Sequence, residues 1–258
     1  MRFFVLGHRG MLGHVVSRYL EEQGHDVLTT YKIYVASHDC QMIREVQLSD
    51  ADVIVNCIGR IRQKSVEASD LYLTNTVLPL QLLHVIAPKQ KLVHISSDCV
   101  FSGDKLTPYL ESDIPDPIDA YGSSKALAEQ IVHDSRVTVF RTSIIGPEIN
   151  TSYGLMAWFM KNPSKQVNGY TDHFWNGVTT LQLAKQIGSL ELPTGKIFHV
   201  TSENSLSKFE LLTQINDIWT LQKKLKMIST ARPINHVLEG SIKLSSIEQQ
   251  LKDLKEWY

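Results

Sequence analysis

The sequence predicts an α/β fold built on a doubly wound parallel sheet. Short apolar segments of strand length alternate with longer segments of helical periodicity through the first half of the chain, a pattern typical of crossover units. A glycine-rich turn directly follows the first apolar segment. The chain has 258 residues, of which 43% are hydrophobic, so it can bury a substantial core as one or two domains.

The predicted elements begin with a strand, a helix and a second strand. Gly24 stands where the first helix should end, and glycine tolerates the positive φ that helix C-termini often adopt. Pro79 has no backbone N–H, so we expect a kink or a break in the second helix. The predicted strands are 2–6, 26–30, 53–57, 91–96 and 137–142, and the predicted helices are 11–23, 71–87, 120–133 and 245–258.

The composition argues against several classes of partner. The net charge is −1, without the excess of Lys and Arg that binding to nucleic acid or an anionic membrane usually needs. The cysteines Cys40, Cys57 and Cys99 have no paired spacing, which favours a reducing compartment over a disulfide framework. No apolar segment is long enough for a signal peptide or a membrane span. We therefore expect a cytoplasmic protein that binds neither nucleic acid nor membrane.

A turn with three glycines joins the first predicted strand to the first predicted helix. Glycines at these positions allow a tight turn, a close approach of the backbone to a pyrophosphate, and close packing of helix on strand. The helix N-terminus favours the anion. An ordinary glycine-rich turn is the alternative, but the position between strand and helix favours a Rossmann-type dinucleotide site. The predicted contacts are Gly7, Arg9, Gly10, Met11, Leu12 and Gly13.

The residues after the second predicted strand indicate which dinucleotide binds. Sites that prefer NAD usually carry an acidic residue there, which binds the ribose hydroxyls. This chain instead has Thr30, Tyr31 and Lys32. Arg9 and Lys32 are cations that can bind a ribose phosphate, although either can also be a solvated surface charge. We expect NADP(H).

The later part of the chain is less regular. Segment 104–119 contains three prolines and is predicted to be an irregular loop at the sheet edge. Beyond Gly146, aromatic and polar residues become frequent. We expect residues 1–147 to form the NADP(H)-binding Rossmann domain. Residues 148–258 should form mainly a small substrate-binding portion, with some segments returning to the sheet.

Ser97, Tyr121 and Lys125 form the predicted reactive group. Ser97 follows a predicted strand at the edge where parallel sheets bind ligands. Tyr121 and Lys125 are four residues apart and share a helix face. A neighbouring ammonium is expected to lower the pKa of the tyrosine, which makes it a proton donor or acceptor near neutrality. Such spacing also arises by chance on surface helices, but the order of glycine turn, serine and this helix favours chemistry on a carbonyl carbon.

Together these motifs resemble the extended short-chain dehydrogenase/reductase superfamily, and within it the dTDP-4-dehydrorhamnose reductase-like family of nucleotide-sugar reductases. The resemblance implies an NADP-dependent oxidoreductase, with Cys57 and Gly59 also at the cofactor. The matching segments are Gly7-x-x-Gly10-x-x-Gly13, 53–59, Asn75, 94–103, 121–125 and Arg141-Thr142-Ser143.

A narrower resemblance involves Trp158-Phe159, Gly169-Tyr170 and segment 175–180. These residues are similar to those of reductases of UDP-2-acetamido-2,6-dideoxy-4-hexuloses, enzymes of surface polysaccharide biosynthesis. The parent family implies a dTDP-sugar instead, and the residues themselves do not decide between the two bases. The residues expected at the substrate are Asp98, His173, Trp175, Asn176 and Arg232. Arg232 could pair with the diphosphate, or could equally be a surface arginine.

Cys99 introduces a second possible activity. In the related GDP-fucose synthase, a cysteine at the matching place is the base that epimerises carbons beside the ketone. Cys99 could remove such a proton, with His173 or Tyr153 as the acid on the opposite face of the sugar. A buried packing cysteine is the alternative. The resemblance therefore implies a possible 3-epimerase besides the reductase.

Two other functions compete with a reductase. A relative in this family serves as a regulatory subunit without catalytic activity, although such a protein does not need Ser97, Tyr121 and Lys125 together. Related 4,6-dehydratases carry an Asp-Glu pair where this chain has Asp98 and Cys99, which argues against dehydration. No histidines have metal-ligand spacing, so we expect no metal site. A homodimer is possible.

Overall fold

Strands and helices alternate along the chain, and β1 to β5 occur in the order that the sequence predicts. The computed structural model describes residues 1–37, 39–65, 67–189 and 193–258. The strands are β1 (Arg2–Leu6), β2 (Asp26–Thr29), β3 (Val53–Asn56), β4 (Lys91–Ile95), β5 (Val137–Arg141), β6 (Ile144–Ile145), β7 (Gln166–Tyr170), β8 (His173–Trp175), β9 (Val178–Thr179), β10 (Lys196–Ser202), β11 (Leu206–Ser207), β12 (Lys224–Ile228), β13 (Ile234–Asn235) and β14 (Ile242–Leu244). The helices are α1 (Gly13–Glu22), α2 (Gln41–Leu48), α3 (Ala68–Tyr72), α4 (Leu78–Val85), α5 (Ala120–Ala128), α6 (Leu155–Lys161), α7 (Thr180–Ile187), α8 (Lys208–Ile218) and α9 (Ile247–Trp257).

The central sheet is parallel and has the strand order β2-β1-β3-β4-β5-β10-β14. The chain runs outward in one direction from β1 to β2 and in the other direction from β3 onward. The order therefore reverses between β1 and β3, and ligands of open α/β sheets bind beyond the carboxyl ends of the strands at such a point. The predicted doubly wound parallel sheet is confirmed.

Both faces of the sheet are covered, which is why its strands read as short apolar runs. Phe3 and Val5 lie in one core cluster with residues of α1, α7, α8 and α9. Phe4 and Leu6 point to the opposite face and lie in a second cluster with residues of α2 and α4. Alternate side chains of β1 thus anchor two layers of helices, and this fixes the glycine turn that follows β1.

The second half of the chain adds both sheet strands and separate small sheets. β10 and β14 extend the central sheet. β8 pairs with β11 and β13, β7 pairs with β12, and β6 pairs with β9. The β11-β8-β13 sheet lies beside the site described below. Within the described ranges, no helix has both the length and the apolar character needed to cross a membrane.

The helices differ from the predicted ones in several places, and α6, α7 and α8 in the second half of the chain were not predicted. α2 was missed, because it has only eight residues, no side-chain cap, and just Met42 and Val46 buried. The predicted helix 71–87 is α3 and α4 joined by a π-helical turn, Leu73–Val77, and Pro79 lies at the start of α4. The predicted helix 120–133 changes to a 3₁₀ turn after Ala128. Gly24 has the expected positive φ, 76°.

Candidate active site

The glycine turn lies at the carboxyl end of β1, where the strand order reverses. Gly7 has a φ of 79°, and the Gly10 N–H donates to the Gly7 carbonyl oxygen at 2.8 Å. A Cβ atom on residue 13 would lie 2.1 Å from that oxygen, so only glycine lets α1 start this close to the turn. The N-terminus of α1 therefore lies directly at the glycine turn, where it would bind a pyrophosphate.

A cleft of about 380 Å³ opens beside this turn. Leu12 is 4% exposed and its side chain packs in the core, so it can reach a cofactor only through its backbone. Met11 lies against Gly154, where a Cβ would be 3.2 Å from the Met11 Sδ. The other predicted contacts around the glycine turn and after β3 line the cleft, namely Gly7, Arg9, Gly10, Lys32, Cys57 and Gly59.

Positive charge surrounds the cleft. Arg9, Lys32, Arg60 and Lys64 all line it. The buried Nε of Arg60 donates no hydrogen bond within the described residues, and a phosphate oxygen would satisfy such a donor. The glycine turn, the cations and this unpaired donor fit a phosphorylated dinucleotide. Sequence analysis missed Arg60 and Lys64, although both follow β3 at the reversal point, where ligand contacts are expected.

Ser97 and Tyr121 are brought together by a close contact between two turns. Ser97 precedes a 3₁₀ turn, Asp98–Val100; its hydroxyl donates to Asp98 Oδ1 at 3.0 Å and accepts from the Cys99 N–H at 3.1 Å. A Cβ on Gly122 would lie 2.1 Å from the Cys99 carbonyl oxygen. Glycine at this position therefore lets the first turn of α5 pack on the 3₁₀ turn, which sets Tyr121 beside Ser97.

The pKa of the Tyr121 phenol is higher than the sequence predicts. Burial raises its pKa above the ordinary value; the nearby Cys99 and Asp98 raise it further, and the Ser97 hydroxyl opposes them by hydrogen bonding. The net lowering of the Tyr121 pKa that its spacing from Lys125 predicts is therefore wrong, because burial outweighs it. A tyrosine with a raised pKa is neutral near neutrality, and it can donate a proton to a carbonyl oxygen.

The Lys125 side chain is held in place by a hydrogen bond to the backbone of β4. Its Nζ donates to the Ile95 carbonyl oxygen at 2.9 Å, and a Cβ on Gly59 would lie 3.5 Å from that Nζ. Burial lowers the pKa of Lys125 to about 8, while Glu129 and then Cys57 act to raise it. Because the Lys125 ammonium bonds to a strand carbonyl, it has a fixed position between the ends of β3 and β4.

Asn75 forms hydrogen bonds that connect the loop after β3 with helix α5. It is fully buried within the π-helical turn. Its Oδ1 accepts from the Arg60 N–H at 2.8 Å, and its Nδ2 donates to the Arg60 carbonyl and to the Ser124 hydroxyl, both at 3.0 Å. Asn75 thus joins the cofactor cleft to the helix that carries Tyr121 and Lys125. π-Helical turns often occur at functional sites.

A buried ion pair between Arg141 and Glu129 lies near Lys125, and the charge of Glu129 acts on the Lys125 ammonium. Arg141 and Glu129 are 1% and 3% exposed, and their Nη2 and Oε2 atoms are 2.6 Å apart. The Ser96 hydroxyl donates to Glu129 Oε1 at 2.5 Å, and Arg141 Nη1 lies 2.9 Å from His199 Nε2. Burial and the charge of Arg141 lower the pKa of His199 to about 4, so neutral His199 accepts this hydrogen bond.

Cys99 lies next to Ser97 and Tyr121, but its surroundings favour the protonated thiol. Burial raises the pKa of its thiol, and the Asp98 carboxylate raises it further; the Ser97 hydroxyl acts in the opposite direction. The thiolate is therefore disfavoured in the free protein. Of its proposed acid partners, Tyr153 lies toward the cofactor cleft, with its ring centroid 5.2 Å from the Lys64 Nζ.

Three of the residues predicted to bind the substrate, Asp98, His173 and Arg232, differ from one another in burial and in hydrogen-bond partners. Asp98 is 4% exposed and accepts from Ser97. His173 stacks on Tyr170 with ring centroids 4.5 Å apart, and its Nε2 lies 3.2 Å from the Thr230 hydroxyl. Arg232 is half-exposed and forms a bidentate ion pair with Asp104, so its guanidinium already has a carboxylate partner.

Trp175 and Asn176 are buried beneath this surface. Trp175 is 3% exposed and packs in the core. Asn176 uses its amide on the backbone of Leu238, donating at 2.7 Å and accepting at 2.9 Å. The Nζ of Lys208 lies 5.1 Å from the centroid of the Trp175 ring. Sequence analysis missed Lys208, because it reaches the site only through the pairing of β11 with β8.

The described residues contain no group of three or more His, Cys, Asp or Glu side chains arranged to hold a metal ion. The Ser97 and Tyr121 side chains instead lie side by side, and the Lys125 Nζ lies near Gly59, which lines the cationic cleft. The chain matches the family model of the RmlD substrate binding domain over residues 1–239. It belongs to this family.

Two named reductases are similar in sequence to this chain over most of its length. The probable low-salt glycan biosynthesis reductase Agl14 of Haloferax volcanii is 28% identical, over 97% of this chain and 92% of that protein. A dTDP-4-keto-6-deoxy-D-glucose reductase of Streptomyces niveus is 28% identical, over 81% and 76%. In fold, the chain is similar to a dTDP-4-dehydrorhamnose reductase from Bacillus anthracis solved in complex with NADP, with a TM-score of 0.85, 23% identity and 99% of each chain covered.

Membership of the RmlD family agrees with the first resemblance found in the sequence. The narrower resemblance, to reductases of UDP-2-acetamido-2,6-dideoxy-4-hexuloses, stays a prediction.

Proposed function

We propose that this protein uses NADPH to reduce the 4-keto group of a nucleotide-linked 6-deoxy sugar. The observation that carries the proposal is that Ser97 and Tyr121 lie side by side, while the Lys125 Nζ lies near Gly59 in the cleft of the glycine turn at the reversal point of the sheet. The names of its relatives, reductases of glycan and deoxy-sugar biosynthesis, support the same reaction. The likeness to a structure solved with NADP, together with Arg9 and Lys32 at the cleft, supports NADPH.

The residues divide the proton chemistry between them. Bound NADPH supplies a hydride to the carbonyl carbon. Tyr121, neutral because its pKa is raised, gives its phenolic proton to the carbonyl oxygen, so that the C=O bond becomes C–H and O–H. The Ser97 hydroxyl orients that oxygen, and the Lys125 ammonium stabilises the phenolate left on Tyr121 until solvent returns the proton.

Within this reaction we propose UDP-2-acetamido-2,6-dideoxy-4-hexulose as the substrate, in the cytoplasmic synthesis of a surface polysaccharide. This choice rests on the resemblance of segments 158–159, 169–170 and 175–180. dTDP-4-dehydrorhamnose is the alternative, which the name of the structural neighbour favours. A regulatory subunit without activity is a further alternative, and the intact Ser97, Tyr121 and Lys125 group argues against it.

A second candidate activity is 3-epimerisation, favoured by the position of Cys99 beside Ser97 and Tyr121. The raised pKa of Cys99 opposes it, because a thiol is a much weaker base than a thiolate. The test is to run the reduction in heavy water and to look for deuterium on the carbon beside the former ketone. Epimerisation by Cys99 requires that deuterium, and Cys99→Ser must abolish it.

The reductase is tested with NADPH and a panel of UDP- and dTDP-linked 4-keto-6-deoxy sugars, with and without the acetamido group. Consumption of NADPH with one member identifies the substrate. Tyr121→Phe should lower kcat by about 10²–10⁴-fold with unchanged NADPH affinity, whereas the control Tyr258→Phe, at an exposed tyrosine, should not. Tight NADPH binding without turnover on any sugar would instead favour the regulatory subunit.

A further inference from the structure

The peptide bond between Ile95 and Ser96 lies at the carboxyl end of β4, directly before Ser97. On its amino side, the Ile95 carbonyl oxygen accepts a hydrogen bond from the Lys125 Nζ at 2.9 Å. On its carboxyl side, the Ser96 hydroxyl donates to Glu129 Oε1 at 2.5 Å. Two side chains therefore hold the same short stretch of backbone, one residue before Ser97.

These two side chains belong to one face of a single helical segment. Lys125 lies in α5, and Glu129 is the first residue of the 3₁₀ turn that continues α5. Tyr121, Lys125 and Glu129 are spaced by four residues, so they follow one another along the same face. The helix thus presents a phenol, an ammonium and a carboxylate in a row, and the last two hold the end of β4.

Glu129 is a fixed anchor for the Ser96 hydroxyl. Its Oε1 also accepts from Arg141 Nε at 2.9 Å, and its Oε2 accepts from Arg141 Nη2 at 2.6 Å. A carboxylate that is bonded through both oxygens to a guanidinium has a defined orientation. Ser96 and Glu129 are 4% and 3% exposed, so their hydrogen bond is shielded from bulk water.

The Ser96 hydroxyl differs in direction from that of its neighbour. Ser97 uses its hydroxyl on Asp98 and on the Cys99 N–H, whereas Ser96 uses its hydroxyl on Glu129. The Ser96 N–H donates to a carbonyl oxygen of β5 at 2.8 Å, and that bond does not depend on the side chain. Removing the hydroxyl therefore leaves the pairing of β4 with β5 intact and releases the strand end only from Glu129.

We infer that Ser96 is a positioning residue for the reduction, because its hydrogen bond to Glu129 fixes the Ile95 carbonyl that holds the Lys125 ammonium. The inference rests on the proposed reductase function, in which that ammonium stabilises the phenolate left on Tyr121. This stabilisation depends on the position of the charge and is needed only as the proton leaves. Ser96 should therefore affect kcat and leave the binding of both reactants unchanged.

The test compares Ser96→Ala with Ser202→Ala. Ser202 is a matched control, because it ends β10 of the same sheet, is 2% exposed, and donates its hydroxyl to the Asn204 carbonyl oxygen at 2.6 Å. Both variants lose the same atoms and a buried hydrogen bond. Ser96→Ala should lower kcat about tenfold, the factor that corresponds to one hydrogen bond. NADPH affinity in fluorescence titrations and KM for the ketosugar should stay unchanged, and Ser202→Ala should keep the wild-type kcat.

A double-mutant cycle with Lys125→Met shows whether Ser96 acts through the ammonium. In the Lys125→Met background, Ser96→Ala should cause no further loss of kcat, because the charge that Ser96 positions is already gone. The same tenfold loss in both backgrounds would overturn the inference, since Ser96 would then act on another group. A wild-type kcat in Ser96→Ala, or an effect confined to KM, would overturn it as well.

Failure of the proposed function and failure of the inference give different results. If the wild type reduces no ketosugar, the proposed function fails and the inference fails with it; if the wild type is active and Ser96→Ala has the same kcat, the inference alone fails. Should Ser96→Ala misfold and lose NADPH binding, Ser96→Cys nearly keeps the shape of the side chain but has only a weak donor. It should lower kcat by a smaller factor, and a wild-type kcat in Ser96→Cys would then contradict the inference.

Discussion

Replacing Glu129 by Gln should destabilise the protein strongly. The Arg141 guanidinium is 1% exposed and gives two hydrogen bonds to Glu129, at 2.9 and 2.6 Å. Glutamine removes the negative charge and leaves Arg141 buried with only neutral acceptors such as His199. Breaking a buried pair in this way costs about 3–5 kcal/mol, a large part of the roughly 5–15 kcal/mol that stabilises a typical domain.

The free energy of unfolding, measured by urea denaturation, checks this magnitude. Arg141→Met should be similarly destabilising alone, and the double variant with Glu129→Gln should recover much of the loss, because no unpaired charge remains. A loss below about 1 kcal/mol in Glu129→Gln, or simple additivity in the double variant, would refute the reasoning. The ion pair would then contribute no more than an exposed one.

Three other outcomes are expected at the cofactor cleft and at the reactive group. Gly13→Ala should weaken NADPH binding at least tenfold in fluorescence titrations, because its Cβ would lie 2.1 Å from a carbonyl oxygen of the turn; unchanged affinity would mean that the turn adjusts freely. Arg9→Gln and Lys32→Gln should each raise KM for NADPH about tenfold but leave KM for NADH unchanged, and equal effects on both cofactors would exclude a role in binding the ribose phosphate. The reduction rate should fall as pH rises through about 8, where Lys125 loses its proton, while Tyr121 with its raised pKa stays protonated; a flat profile up to about pH 10, near the ordinary lysine pKa, would contradict this assignment.

The inner strands β1, β3, β4 and β5 of the central sheet could be predicted from the sequence because they are buried on both faces, whereas β10 and β14 of the same sheet were not predicted. Phe3 and Val5 supply one core while Phe4 and Leu6 supply the other, so the strand appears as a continuous apolar run. The strands of the smaller sheets have a weaker signal. β6, β9, β11 and β13 contain two residues each, and no periodicity can be recognised over two positions.

The site could be predicted where its residues follow buried strands. Gly7, Cys57 and Ser97 come directly after β1, β3 and β4 or within two residues of them, and the carboxyl ends of parallel strands meet at one edge. Lys208 gave no such signal, since in sequence it is a lysine at the start of a helix. Its place depends on the antiparallel pairing of β11 with β8, which only the folded chain specifies.

The protonation of the site could not be predicted from residue types. Tyr121 next to a lysine suggests a phenolate, and Cys99 after the serine suggests a base, as a thiolate or a thiol. In the structure, burial dominates both groups, and the Asp98 carboxylate beside them raises both pKa values. The environment that keeps Tyr121 able to donate a proton therefore also keeps Cys99 unable to remove one. Reduction and epimerisation make opposite demands on this charge, and the free protein is arranged for reduction. For Cys99 to remove a proton, positive charge would have to come closer to the thiol when the substrate binds.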